Sequence, residues 1–216
     1  MRSEPRTVPT HESGGRVERA VLDVSHLPTV VFGHRSTMWW GIVCFMLIEG
    51  TTLALCAASY IYVRRNFNAW PPERTPLPDL TVASVNMLVM LASVLPAYLC
   101  ARAAKRLDLA GVKRWLVVMA LFGIVILVLR WFEMRALHTR WDANAYGSVA
   151  DLVIFVHATL LLVDVADTIV FTVIAFSDRF EKKHFPDATD NSFYWYFMVL
   201  SWLPLYLLLF WGPRWF

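Results

Sequence analysis

Five stretches of apolar sequence, each close to the length that crosses a bilayer, decide what this 216-residue chain can fold into. They run from about Trp39 to Tyr62, Thr81 to Ala101, Trp115 to Phe132, Val149 to Phe176 and Phe193 to Trp211. Roughly 20 apolar residues in a helix span the hydrocarbon layer. Backbone N–H and C=O groups find no water there, so only helices or closed barrels can cross it. The strict alternation of barrel strands is absent from all five runs. The expectation is an all-α membrane protein, a five-transmembrane-helix bundle. Composition agrees: 17% charged residues is low for an ordinary soluble domain, and 10 Trp suit many membrane–water interfaces.

The segments between the runs organise the chain. Residues 1–35 carry Arg2, Arg6, Arg16, Arg19 and Arg35 without a long apolar run, and read as a polar tail ahead of a membrane domain at 36–216. Pro71, Pro72, Pro76 and Pro78 break the chain after the first run, and a basic turn centred on Gly111 follows the second. Polar residues 138–148 and charged residues 177–192 separate the rest. With five spans, the tail and the second and fourth loops share one side and hold 13 Lys and Arg, against 7 on the other, Arg130 at the end of the third run included. The positive-inside rule then puts the N-terminus in the cytoplasm and the C-terminus outside; in a bacterium this is a multi-pass protein of the inner (plasma) membrane. Basic residues scattered over short loops give no nucleic-acid footprint, so no nucleic-acid partner is expected.

Redox chemistry inside a bilayer needs several histidines to hold haem or copper. Of His11, His26, His34, His138, His157 and His184, only His157 falls well within a run. One imidazole cannot supply two axial ligands, so the chain is expected to hold no redox cofactor or metal, with His157 packed and hydrogen-bonded. Cys44, Cys56 and Cys100 lie in apolar runs and read as packing residues. No phosphate loop, nucleophile elbow or zinc-protease motif is present.

Acids inside a membrane are costly and mark function by default. Glu49 lies midway along the first run, with Asp164 and Asp167 in the fourth. His157 and Asp164 are two helical turns apart and share a face. Antiparallel first and fourth helices put Glu49 and Asp164 at similar depth, which suggests a polar seam where at least one acid holds a proton; alternatively each pairs locally or faces a partner. Arg130 and Glu133 stand one turn apart, as an ion pair or as interfacial anchors. Gly41, Ala57, Ala58 and Ser59 are candidates for close helix approach, Pro96 and Pro204 for kinks, and Trp211–Phe216 for an aromatic anchor.

In order and spacing these residues resemble subunit III of the haem–copper oxidases, in the short five-helix form without two N-terminal helices, over residues 36–216. Gly41, Phe45 and Glu49 match the family's Gly-x-x-x-Phe-x-x-x-Glu. Asn86 with Leu91-Ala92-Ser93 is similar to its Asn-Thr-x-x-Leu-x-x-Ser region. Phe132-Glu133 resembles the end of Glu-Tyr-x-Glu, with Arg130 in place of the first Glu. Tyr146-Gly147-Ser148 then His157 keeps the interval from Tyr-Gly-Ser to His-Gly-x-His, and Tyr194-Trp195-Tyr196-Phe197 with Trp202 is similar to Tyr-Trp-His-Phe-x-Asp-x-x-Trp. Ala158, Leu160, Tyr196 and Val199 depart from the pattern, replacing a Gly, two His and an Asp.

The resemblance implies a non-catalytic accessory subunit without its own redox cofactor. It would pack on the catalytic haem–copper subunit I and other oxidase subunits, hold phospholipid, and support proton uptake and complex integrity. Glu49 is carried over as a lipid-cleft or proton-related position, and His157 as a structural polar contact. An accessory subunit of a nitric oxide reductase, and an independent ion carrier or channel using Glu49, Asp164 and Asp167, are the alternatives. Cytochrome c and quinol both stay open as electron donor.

Overall fold

A computed structural model describes residues 37–72, 74–177, 180–181 and 184–215; the tail of residues 1–35 lies outside the described residues. Five helices make up the fold: α1 (Thr37–Arg64), α2 (Leu80–Lys105), α3 (Leu109–Arg135), α4 (Ala145–Phe176) and α5 (Phe185–Tyr206). The last continues through a π turn, Leu207–Trp211, and a final α turn, Gly212–Trp215. All five are long and apolar enough to cross a membrane. At 1.5 Å per residue each, with α5 counted through its continuation to Trp215, is about 40 Å or longer, so its ends project beyond the roughly 30 Å hydrocarbon core.

The helices pack with α3 between α2 and α4, α1 against α4 and α5, and α5 also against α2. α5 supplies the largest buried side chains, Trp195 and Trp202. α1 is peripheral, turning Leu47, Ile48, Leu55 and Tyr62 outward. That position corrects the expectation of close approach at three of the four small residues of α1: a Cβ on Gly41 would meet nothing within 4 Å and Ala58 and Ser59 are exposed, while Ala57 packs against the core. The tight contact is at Gly123 of α3, where a Cβ would stand 2.6 Å from Val165 Cγ2 and 3.1 Å from Trp195. Lipid offers no hydrophobic drive between helices, so such fit carries the association.

Several helices start earlier than the apolar runs. Asp108 accepts from Gly111 N–H at 3.0 Å and caps α3, so Gly111 sits inside the helix and the turn narrows to a few residues with Leu107 at φ 57°. Gly111 is therefore not the centre of that turn. α5 begins eight residues before Phe193, with Pro186 in its first turn and a polar stretch turned inward. Thr168 donates to Asn191 Oδ1 at 3.1 Å, and Ser192 bonds back to Ala188 O at 2.9 Å. Hydropathy undercounts a helix end whose polar residues face protein. The π turn follows Pro204 by three residues, whereas α2 continues as α-helix through Pro96.

One end of the bundle is stitched shut. Trp70 of the proline-rich loop is buried, its Nε1 donating to Tyr60 Oη at 2.8 Å and its ring edge-on to Tyr60 and Tyr146 at 5.4 and 5.1 Å. Asn144 caps α4 by accepting from Gly147 N–H at 2.8 Å, and donates to Thr75 at 3.0 Å. A Cβ on Gly147 would run into the Arg140 carbonyl, so the Tyr-Gly-Ser segment needs its glycine. Asp79 N–H donates to Ala136 O at 2.8 Å. Arg214 donates to Pro78 O at 2.8 Å, tying the C-terminal turn to the same loop. Of the terminal tryptophans, Trp211 donates to Tyr206 Oη at 3.1 Å while Trp215 faces out.

Candidate functional site

Two buried polar assemblies occupy the bundle. The first joins α2, α3, α4 and α5. Arg130 and Glu133 form an ion pair one turn apart, Nη1 to Oε2 at 2.8 Å, with side chains 2% and 0% exposed. They are core residues, so the interfacial-anchor alternative does not hold. Asn86 Nδ2 donates to the same carboxylate oxygen at 2.5 Å. The Arg130 guanidinium lies 3.7 Å above the Trp202 ring, and its Nη2 stands 3.4 Å from His157 Nδ1. His157 Nε2 is 3.1 Å from Met198 O, and its ring lies 4.7 Å from Trp202. Arginine only donates, so Nδ1 must accept; the proton then sits on Nε2, which donates to the Met198 carbonyl. Both ring nitrogens are thus engaged within the protein. Trp195 Nε1 bridges α5 to α2, donating to Ser93 Oγ at 2.9 Å.

The second assembly lies between α1, α4 and α5. Glu49 is buried and accepts a short hydrogen bond from the Tyr194 hydroxyl. Asp164 is 2% exposed, and neither carboxyl oxygen has a hydrogen-bond partner among the described residues. Glu49 and Asp167 lie within electrostatic reach of Asp164. A cleft of about 290 Å³ opens here, with Asp164, Asp167, Asn191 and Tyr194 on one wall and Ile42 and Phe45 on the other. Glu49, bonded to Tyr194, is not itself among the residues that line the cleft.

The structure therefore gathers Glu49, Asp164 and Asp167 into one region. It sends His157, though on the interior side of the same helix as Asp164, to a different partner, Arg130. Among the described residues, no three His, Cys, Asp or Glu side chains come together to hold a metal ion. Leu160, Tyr196 and Val199 pack against the apolar core. Sequence spacing points to the Arg130–Glu133 pair, but not to Tyr194 as partner of Glu49, 145 residues away, or to Trp202 as the platform beneath Arg130.

No protein-family model matches the chain. It is 25% identical over 182 residues to the cytochrome c oxidase subunit 3 of Synechocystis sp., covering 82% of this chain and 77% of that one. Against the cytochrome c oxidase subunit 3 of Thermostichus vulcanus it is 23% identical over 79% of this chain and 85% of the relative. Against the probable cytochrome c oxidase subunit 3 of Mycobacterium tuberculosis it is 28% identical over 65% and 70%. Five membrane-spanning helices locked by a buried polar network define the class, a multi-pass helical membrane protein. Within that class the shared identity over most of the chain supports a haem–copper oxidase subunit III-like protein.

Proposed function

We propose that this chain is the non-catalytic subunit III of a respiratory haem–copper terminal oxidase, seated on the catalytic subunit in the plasma membrane with its N-terminus in the cytoplasm. The observation that carries this reading is the likeness to cytochrome c oxidase subunit 3 over 182 residues, 82% of this chain, rather than over one motif. The geometry supports a role without electron transfer, because the one histidine deep in a span spends both ring nitrogens on Arg130 and Met198. Glu49 and the adjoining cleft would take the lipid- or proton-related part: the cleft is apolar along α1, and along α4 and α5 it sets Asp164, Asp167, Asp187 and Asp190 among Val163, Val170, Phe171 and Ile174. The chain would itself carry no cofactor beyond bound phospholipid.

A tag on this chain, with extraction in mild detergent, tests the assignment. A haem- and copper-bearing chain should co-isolate, and loss of this subunit should shorten the working life of the oxidase rather than abolish its first turnovers. Isolation with a nitric oxide reductase would redirect the reading within the same class of assemblies. The acid-walled cleft favours one competing reading, an independent ion carrier; proton or cation flux into liposomes holding this chain alone would establish it instead.

A further inference from the structure

The end of the bundle stitched by the proline-rich loop also carries a hollow of about 520 Å³, open to the surface and lined by Arg74, Arg135, His138 and Arg140. Thr75, Pro76, Thr139, Ala143 and Asn144 complete its wall. Two connections build it, the one from α1 to α2 and the one from α3 to α4, and they are pinned to each other. Asn144 Nδ2 donates to Thr75 Oγ1 at 3.0 Å, and Asp79 N–H to Ala136 O at 2.8 Å. Arg74 and His138 both hold left-handed backbone, at φ 73° and 53°, which residues other than glycine seldom adopt. The turns at these two positions bring both side chains onto the lining.

The seven basic residues on this side of the chain are all arginines. Three are spent on the protein itself: Arg130 on Glu133, Arg64 on the Phe67 carbonyl, and Arg214 on the carbonyls of Phe210 and Pro78. Of the other four, Arg74, Arg135 and Arg140 meet in the one hollow. Arg74 and Arg135 form no ion pair among the described residues; Arg135 has its guanidinium carbon 5.2 Å from the Trp131 ring. Arg140 pairs with Asp142 at 3.0 Å, but both side chains are exposed, so the pair is weakly held. Asp142 stands outside the lining, as does Asp79, which reaches His138 electrostatically, and no acid is among the described lining residues. Cations gathered on one surface repel one another and gain from an anion that bridges them.

The wall decides which anion. A guanidinium fork takes a carboxylate through two parallel N–H···O bonds. A phospholipid needs an apolar track beside its phosphate, and no Leu, Ile, Val, Phe or Met lines this hollow. A free inorganic ion fills only a small part of the volume and leaves donors of one connection or the other untouched.

We propose that this hollow docks an acidic segment of another chain, with at least two Asp or Glu carboxylates held by the forks of Arg74, Arg135 and Arg140. From the proposed function it takes only that the chain is part of an assembly; the surface itself stands on its own charge and lining.

The full chain in neutral detergent is titrated with a fluorescent peptide of alternating Glu and Gly and with its Gln–Gly counterpart. Only the Glu peptide should bind, and inorganic phosphate or phosphatidylglycerol micelles at equal ionic strength should not displace it. Joint Arg74→Gln and Arg135→Gln should weaken its binding about tenfold, through two lost charge pairs. Arg65→Gln, which removes a charge on the same side but outside the hollow, should leave it unchanged. Asp142→Asn frees Arg140 and should tighten it. In the assembly carrying Arg135→Lys, zero-length carbodiimide coupling should join position 135 to an Asp or Glu of a stoichiometric partner chain. Equal binding of the two peptides, displacement by phosphate or by lipid, or an unchanged affinity in the double Gln variant would each overturn the proposal. So would a haem-bearing assembly in which position 135 couples to no partner chain. That last result leaves the oxidase reading intact, whereas isolation of this chain free of any partner defeats both.

Discussion

Removing the guanidinium of Arg130 isolates one charge in the middle of the bundle. In Arg130→Met the Glu133 carboxylate stays fully buried, with Asn86 as its remaining side-chain partner. Breaking a buried pair from one side costs about 3–5 kcal/mol, because the surviving charge has lost its counterion without regaining water. Loss of the 3.7 Å cation–π contact with Trp202 acts in the same direction, and His157 Nδ1 is left without a donor. For a chain of this size, that corresponds to a drop of roughly 10 °C in the unfolding midpoint. Tryptophan emission during heating in detergent reads the transition, since Trp195 and Trp202 are buried beside the affected helices. The informative variant is the double one, Arg130→Met with Glu133→Gln. Its amide oxygen still accepts from Asn86 while no charge remains, so it should recover at least half of the single variant's loss. If Arg130→Met moves the midpoint by less than about 2 °C, or the double variant is as unstable as the sum of the two singles, the pair is not the coupled unit described here.

Gly123→Ala should lower stability by about 1–3 kcal/mol through overpacking against Val165, and adding Val165→Ala should restore most of the midpoint. Trp195→Phe removes the donor to Ser93 and should cost about 1 kcal/mol, seen as a smaller shift in the same thermal assay. Asp79, outside the spans, accepts from Thr81 N–H at 2.9 Å, and above all this hydrogen bond holds its carboxyl below the usual Asp value. A depressed carboxyl contributes stability above its unfolded value and loses it as the pH falls through the folded one. The gap between the chain and Asp79→Asn should therefore be open at neutral pH and close in acid; a gap that widens in acid would contradict the sign.

Helix number and approximate spans were legible because each apolar run is long and interrupted by proline, glycine or charge. The ends of α3 and α5 were not, for opposite reasons. At α3 a capping Asp108 draws basic residues into the helix; at α5, Asn191 and Ser192 are polar yet buried against neighbours. Arg130 illustrates the limit for the site. Its spacing from Glu133 permitted an ion pair equally at the surface or in the core, and burial became visible only once Trp202 and His157 arrived from two other helices. Glu49 and Asp164 shared a depth in the sequence, but Tyr194, which bonds the first acid and leaves the second without a hydrogen-bond partner among the described residues, came from a third element.

The most direct test of the account is an absorption spectrum with metal analysis, taken on the assembly that carries this chain and again on the chain once stripped from it. All haem bands and all copper should stay with the partner chains, leaving this one colourless but still folded. A haem band or stoichiometric copper retained by the isolated chain and lost on His157→Ala would place electron transfer inside this bundle and contradict the account.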